Sequence, residues 1–139
     1  MDAVQLNADI AVSGQINAED MARLADQGFV TVINNRPDSE VPPEQQSAAM
    51  EQAARAAGLE YHYIPFEPGR VTQDMVDAFA EAIEKIPAFA YCRSGHRTTN
   101  LWALSQAGKL SESEIVETAA EAGHDVSGAL PLLRQLAGD

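Results

Sequence analysis

Short apolar runs alternate with helix-like segments along this chain, and that alternation constrains the fold more than any other feature of the sequence. The runs FVTVIN, LEYHYIPF and AFAY are rich in β-branched and aromatic residues, as strands are. Between them lie segments with helical spacing, such as QDMVDAFAEAIEKI, in which Met75, Val76, Phe79 and Ile83 share one face. Strands that alternate with helices predict an α/β domain with a central, mostly parallel sheet covered by helices on both faces.

Capping and turn residues set the bounds of the other predicted elements. Residues 10–16, IAVSGQI, are predicted to form a short strand and a turn, after which Asn17 is placed to cap the helix AEDMARLADQ. Thr72 is expected to cap a later helix, and Ser111 with Glu114 forms the pattern of a capping box. Two more helices are predicted, about Glu44 to Ala57 and near Thr98 to Gly108, and the segment VSGALPLLRQLA closes the chain.

The length of 139 residues fits one domain, residues 1–139, with its core at about 10–137. The apolar fraction of 45% is ordinary for a globular protein, and no apolar run approaches the length that crosses a bilayer. The first residues lack a basic segment followed by an apolar block, so no signal peptide is expected. The single cysteine excludes an internal disulfide and a cysteine-rich zinc cluster, which makes a reducing cytoplasm the expected compartment.

Charge is distributed unevenly along the chain. The 9 Lys and Arg against 21 Asp and Glu leave a net charge of −12, which argues against a nucleic acid or an anionic membrane as partner. No acid lies between positions 85 and 111, whereas four bases fall in this window: Lys85, Arg93, Arg97 and Lys109. Because the window also contains Cys92, we interpret it as a local site for a small anion.

The loop YCRSGHRT places the cysteine where open α/β sheets bind ligands, at the carboxyl end of a strand. Gly95 supplies the backbone freedom of a tight concave loop, and Arg97 is predicted to reach over the loop as a two-pronged anion clamp. A free thiol has a pKa near ~8.5, which a helix N-terminus and neighbouring cations lower. We therefore predict that Cys92 is a thiolate nucleophile at neutral pH, against the simpler alternative of a small buried hydrophobic residue.

Neighbouring residues have narrower predicted roles. Arg93 and Ser94 are expected to contribute mainly backbone N–H groups to the anion. His96 either lowers the thiol pKa and contacts substrate or points to solvent. Thr98 either donates a hydrogen bond to the thiolate or caps the following helix, and capping is the simpler interpretation.

Two residues outside the loop complete the candidate set. Arg36 follows a predicted strand and either faces the anion or pairs with Asp38 or Glu40. Glu67 is a candidate general acid, with a solvated loop carboxylate as the alternative, while Asp74 is expected on the next helix. No cofactor is predicted, and a metal site is not expected because the histidines are far apart in sequence and lack a carboxylate at ligand spacing.

The loop and the upstream segment resemble known families. YCRSGHRT, with its Cys-x4-Arg spacing, resembles the active loop of rhodanese-type sulfurtransferases. The segment SGQINAEDMARLADQGFVTVINNRPDSE resembles the entry of the dual-specificity phosphatase fold. Together they resemble the bacterial beta-lactamase hydrolase-like, phosphatase-like domain family, also labelled a sulfur transferase family, from about Ser13 to Leu133. The resemblance implies a cysteine-phosphatase-like fold with Cys92 as nucleophile and Arg97 as anion binder.

Two reactions use such a thiolate, and a third possibility needs no reaction. In sulfur transfer, Cys92 carries sulfane sulfur from a donor to a thiol acceptor as a persulfide. In phosphate hydrolysis, Cys92 forms a thiophosphate intermediate with Arg97 as clamp. Cysteine phosphatases carry five residues between Cys and Arg whereas this chain carries four, and the shorter loop favours sulfur. A non-catalytic anion-binding module is the third possibility.

Overall fold

A five-stranded sheet forms the centre of the computed structural model, which describes residues 3–67 and 69–136. In chain order the strands are β1 (Val4–Asn7), β2 (Ile10–Ser13), β3 (Thr31–Asn34), β4 (Glu60–Tyr63) and β5 (Ala88–Tyr91). Their spatial order is β1-β2-β5-β3-β4, with β5 parallel to both β2 and β3, β4 parallel to β3, and β1 antiparallel to β2. The predicted mostly parallel sheet is confirmed, and β1 is an edge strand that the sequence pattern did not indicate.

Helices cover the two faces of this sheet. They are α1 (Asp20–Asp26), α2 (Ser47–Ala56), α3 (Gln73–Ala82), α4 (His96–Ser105), α5 (Glu112–Glu121) and α6 (Leu130–Leu136). Because side chains alternate along a strand, Ala88 and Ala90 of β5 face the apolar cluster that includes Trp102, whereas Phe89 faces the cluster that includes Met21. The predicted cover on both faces is therefore confirmed.

Side-chain caps are present at the starts of two of the described helices, α3 and α5. Thr72 Oγ1 accepts from Met75 N at 3.3 Å, and the capping box of Ser111 and Glu114 is present, as predicted. The prediction for Asn17 is wrong, because α1 begins three residues later. Asp20 Oδ2 accepts a hydrogen bond from Asn17 N at 2.8 Å, so the aspartate carboxylate closes a turn ahead of the helix.

None of the helices in residues 3–67 and 69–136 has the length and apolar character that a bilayer span requires.

Candidate active site

The carboxyl ends of β2, β5 and β3 lie side by side, because Ser13 aligns with Tyr91 and Tyr91 aligns with Asn34. Since β5 is the middle strand of the three, the residues that follow it emerge at the centre of this edge of the sheet. Cys92 is the first of them, and the segments after β2 and β3 flank it on either side. The strand order thus places the cysteine where the sequence predicted a ligand site.

The backbone of the loop turns inward onto the cysteine sulfur. Gly95 N donates to Cys92 Sγ at 3.1 Å, and Cys92 N donates to the carbonyl oxygen of Ser13 at 3.2 Å. Gly95 has a left-handed φ of 89° and directly precedes α4, which begins at His96 and not near Thr98 as predicted. A left-handed glycine lets the chain enter the helix with only three residues between it and the cysteine. The result is a buried sulfur with an amide hydrogen directed at it.

Arg97 is bound to a carboxylate that the sequence did not assign to the site. Its Nη1 and Nη2 donate to Glu40 Oε2 and Oε1 at 2.9 and 2.7 Å, and Nη1 also donates to the carbonyl oxygen of Phe66 at 3.2 Å. This hydrogen bonding to Glu40 raises the pKa of Arg97, and the charge of the same carboxylate acts in the same direction, against the effect of burial. Arg97 therefore places a permanent positive charge at the site, but both of its terminal nitrogens are hydrogen-bonded to Glu40.

Arg36 contacts the same carboxylate from the other side. Its Nε donates to Glu40 Oε1 at 3.3 Å, its Nη2 to the Glu40 carbonyl at 3.1 Å, and its Nη1 to Gln15 Oε1 at 3.1 Å. The structure thus supports the ion-pair alternative for Arg36 over a side chain that faces the anion. Arg97 first, and Arg36 with it, hold the pKa of Glu40 below its usual value despite partial burial. Glu40 is therefore an ionised carboxylate between two guanidinium groups.

The lowered pKa of Glu40 predicts how stability depends on pH. Because its folded-state pKa lies below 4.5, the value of an unpaired glutamate, the ionised carboxylate stabilises the fold above about pH 4.5. This stabilisation is lost as the pH falls through the folded-state pKa. We expect Glu40→Gln to lower the free energy of unfolding by a constant amount near neutral pH and by less in acid. Urea unfolding of both proteins between about pH 7 and about pH 3 checks this; a difference that grows toward acid would contradict it.

The remaining loop residues divide into exposed and buried ones. Arg93, Ser94 and His96 are exposed, so their side chains are accessible to a ligand. Thr98 is fully buried and donates through Oγ1 to Asn35 Oδ1 at 2.8 Å. The prediction that Thr98 caps the helix is wrong, because α4 starts two residues earlier, and the Thr98 hydroxyl is hydrogen-bonded to Asn35.

Glu67 lies in the segment after β4. Its side chain is 55% exposed and pairs with Arg70 at 3.4 Å, while Asp74 is on α3 as expected. This geometry matches the solvated carboxylate that was the alternative to a general acid.

Asn35, which the sequence analysis missed, forms hydrogen bonds with three separate segments beneath the loop. It is fully buried, its Nδ2 donates to the carbonyl of Ile64 at 2.8 Å, and its Oδ1 accepts from Thr98. Its own N–H donates to the carbonyl oxygen of Tyr91 at 2.9 Å. A polar residue directly after a buried strand is the signal that could have indicated this role.

His124 contacts the loop from the far end of the chain and was also missed. A Cβ atom built on Gly95 would lie 3.4 Å from His124 Nε2, and the His124 and His96 rings are 5.7 Å apart between centroids. Burial, and next the charge of His96, lower the pKa of His124. A neutral imidazole therefore packs against the glycine whose N–H binds the sulfur.

Gly14 allows the segment after β2 to approach the cysteine loop. A Cβ atom at this position would lie 2.8 Å from the carbonyl oxygen of Arg93, which also accepts from Gln15 N at 3.3 Å. Because the obstructing atom is backbone, it cannot move aside as a side chain can. This close approach is a further feature of the site that the sequence analysis did not find.

Gly14→Ala is expected to lower the free energy of unfolding by about 1–3 kcal/mol, the usual cost of forcing atoms into a packed region. Gly128→Ala is the matched control, since a Cβ there meets nothing within 4 Å and the φ of Gly128 is not in the left-handed region. We expect this control to be neutral or slightly stabilising. Urea unfolding measures both, and equal effects would contradict the close approach at Gly14.

Sequence comparison places the chain among bacterial relatives. Residues 2–109 match the family model of the beta-lactamase hydrolase-like protein, phosphatase-like domain. A beta-lactamase hydrolase-like protein of Agrobacterium fabrum strain C58 is 33% identical over 133 residues, which are 93% of this chain and 31% of that protein. A relative of the same name from Xylella fastidiosa strain Temecula1 is 33% identical over 99% of this chain and 33% of its own length. The chain thus spans about a third of these relatives.

Structure comparison gives the same fold. A candidate phosphatase of Neisseria meningitidis Z2491 superposes with a TM-score of 0.81 at 28% identity, over 98% of this chain and 99% of that one. PTPMT1 in complex with PI(5)P gives 0.81 at 14% identity over 99% and 95% of the two chains. Tk-PTP in its active form gives 0.76 at 16% identity over 98% and 96%. The predicted cysteine-phosphatase-like fold is confirmed, and the chain belongs to the phosphatase-like domain family of beta-lactamase hydrolase-like proteins.

Proposed function

We propose that this chain is a cysteine-dependent sulfurtransferase that carries sulfane sulfur as a persulfide on Cys92. One observation carries the proposal: only three residues separate Cys92 from the start of α4, and Gly95 N is directed at Sγ from 3.1 Å. Such a tight loop fits a single extra sulfur atom better than a tetrahedral phosphate. Four residues separate Cys92 from Arg97, as in the rhodanese-type loop that this segment resembles.

The proposed reaction has two balanced steps. The Cys92 thiolate attacks the outer sulfur of a persulfide or polysulfide donor, the donor S–S bond breaks, and the rest of the donor leaves as a thiolate with the bonding electrons. An acceptor thiolate then attacks the outer sulfur on Cys92, forms its own persulfide, and returns Cys92 to the thiolate. The terminal sulfur is an anion, so loop N–H groups and the positive charge of Arg97 favour it. The free thiol suits a reducing compartment such as the cytoplasm.

Neither Glu40 nor Glu67 is suited to act as a general acid, and this favours sulfur transfer, because that reaction needs none. Expulsion of an alkoxide from a phosphate ester requires a proton donor, whereas a persulfide donor expels a stable thiolate. Glu40 is held ionised by Arg97 and Arg36 and cannot supply a proton. Glu67 is more than half exposed and pairs with Arg70.

Phosphate hydrolysis is the second candidate, and the comparisons support it more directly than they support sulfur transfer. The family is described as phosphatase-like, the fold is that of cysteine phosphatases, and the 28% identical Neisseria protein is described as a candidate phosphatase. In this reaction Cys92 attacks phosphorus, Arg97 binds the equatorial oxygens, and Glu67 protonates the leaving oxygen. The guanidinium would have to exchange Glu40 for phosphate.

Parallel assays on wild type and Cys92→Ser separate the candidates. One incubates each protein with polysulfide and measures its mass, and the other supplies p-nitrophenyl phosphate and measures phosphate release. We expect wild type to gain the mass of one sulfur and Cys92→Ser to gain none. Phosphate release that is lost in Cys92→Ser would establish the phosphatase instead. If neither product forms, the chain is a non-catalytic anion-binding module.

A further inference from the structure

A cleft of about 350 Å³ opens beside the cysteine loop. It lies between α4, the segment after β4 and the chain that leads into α6. Its lining includes Phe66, Leu101, Gly128 and Leu132, with His96 and Arg97 at one end. The volume is within the range of small-molecule pockets and is far larger than one sulfur atom requires.

The chemistry of this cleft differs from that of the surrounding surface. No Asp or Glu is among the described residues that line it, although acids outnumber bases in the chain by 21 to 9. Most of its wall is aliphatic or aromatic, and its charged and polar groups belong to the first turns of α4. There Asn100 Nδ2 donates to the carbonyl of His96 at 2.9 Å and lies 3.3 Å from His96 Nε2. The cleft is therefore apolar along its length and polar at the end nearest the loop.

The polar end connects the cleft to the cysteine. His96 and Arg97 both line the cleft and follow Gly95, whose N–H binds Cys92 Sγ. Arg97 also donates to the carbonyl of Phe66, which holds the aromatic wall against the loop. A molecule that placed its reacting sulfur at the loop could extend its apolar part into the cleft.

We propose that the cleft binds the apolar body of a low-molecular-weight organic thiol, which is the acceptor of sulfur from Cys92. The inference rests on the proposed sulfur transfer and names its substrate class. An inorganic or strongly polar acceptor leaves the apolar cleft unfilled. An aromatic or alkyl thiol fills it and excludes water from the walls of the cleft. Complete burial of a phenyl-sized group favours binding by roughly ten- to a hundredfold.

Two thiols that differ in their apolar part test the substrate class. Wild-type protein loaded with polysulfide is supplied with 2-phenylethanethiol or with 2-mercaptoethanol, and acceptor persulfide is measured. We expect kcat/KM for 2-phenylethanethiol to be at least about tenfold higher, in line with the burial of its ring. Equal values, or a preference for 2-mercaptoethanol, would overturn the proposal.

Gly128→Phe tests whether the preference for the aromatic thiol arises in the cleft. Position 128 accepts a side chain, because a Cβ there meets nothing within 4 Å and its φ is not in the left-handed region. The phenyl group would occupy the cleft, so the ratio of kcat/KM between the two thiols is expected to fall toward one. Ser113→Phe adds the same group at an exposed position of α5 and should leave the ratio unchanged. A ratio unaffected by Gly128→Phe would place the preference elsewhere and refute the assignment.

A binding measurement separates this inference from the proposed reaction. Cys92→Ser cannot carry sulfur, and 2-phenylethanol carries no thiol, so a titration followed by NMR reports on the cleft alone. Methyl shifts at Leu101 and Leu132 with saturable binding would support the cleft even if the polysulfide assay failed. No shifts at these methyls would refute it even if Cys92 transferred sulfur.

Discussion

Arg97→Ala is expected to slow sulfur loading of Cys92 by about a hundredfold, the usual effect of removing a group that stabilises a developing anion. The Arg97 side chain is 12% exposed and carries a permanent positive charge at the first turn of α4. Its removal leaves the terminal sulfur beside an ionised Glu40 with less positive charge to balance both. The rate of mass gain with polysulfide measures the effect.

Two companion variants sharpen this test. Arg97→Lys keeps the charge but cannot make both hydrogen bonds to Glu40, so we expect an intermediate rate. Arg55→Ala removes the same charge from an exposed position of α2 and should leave the rate unchanged. A rate for Arg97→Ala equal to that of Arg55→Ala would mean that Arg97 only holds Glu40 and the loops in place.

Asn35→Ala is expected to cause the largest loss of stability, roughly 2–4 kcal/mol in the free energy of unfolding. The change leaves the carbonyl of Ile64 and the hydroxyl of Thr98 without the partners that Asn35 provides, and both Asn35 and Thr98 are fully buried. Buried polar groups that lose a partner cost about 1–3 kcal/mol each, and here there are two. Urea unfolding measures the loss.

A matched control compares the loss of an exposed asparagine with the loss of the buried one. Asn17 is exposed and its Oδ1 accepts from Gln45, also at the surface. Asn17→Ala is therefore expected to change stability by less than about 0.5 kcal/mol. Similar losses in both variants would show that the buried position of Asn35 contributes little.

Local patterns in the sequence were sufficient for most of the elements. The apolar runs at residues 31–34 and 88–91 became central parallel strands, and Thr72 and Ser111 begin the helices that they were predicted to begin. These features depend on residues within one or two turns of each other, so spacing alone indicates them. β1 was missed because three of its four residues are exposed and form no apolar run.

Local sequence was enough to predict the α/β class, the position of Cys92 at the end of a strand, and a glycine that allows a tight loop after it. The groups that surround the Cys92 sulfur depend on how distant segments pack together. Arg97 and Glu40 are 57 positions apart in the chain, and His124 reaches the loop from beyond α5. Their proximity follows from the insertion of β5 between β2 and β3, which brings together loops distant in sequence. No local pattern encodes such a contact, since it depends on the order in which the strands pair.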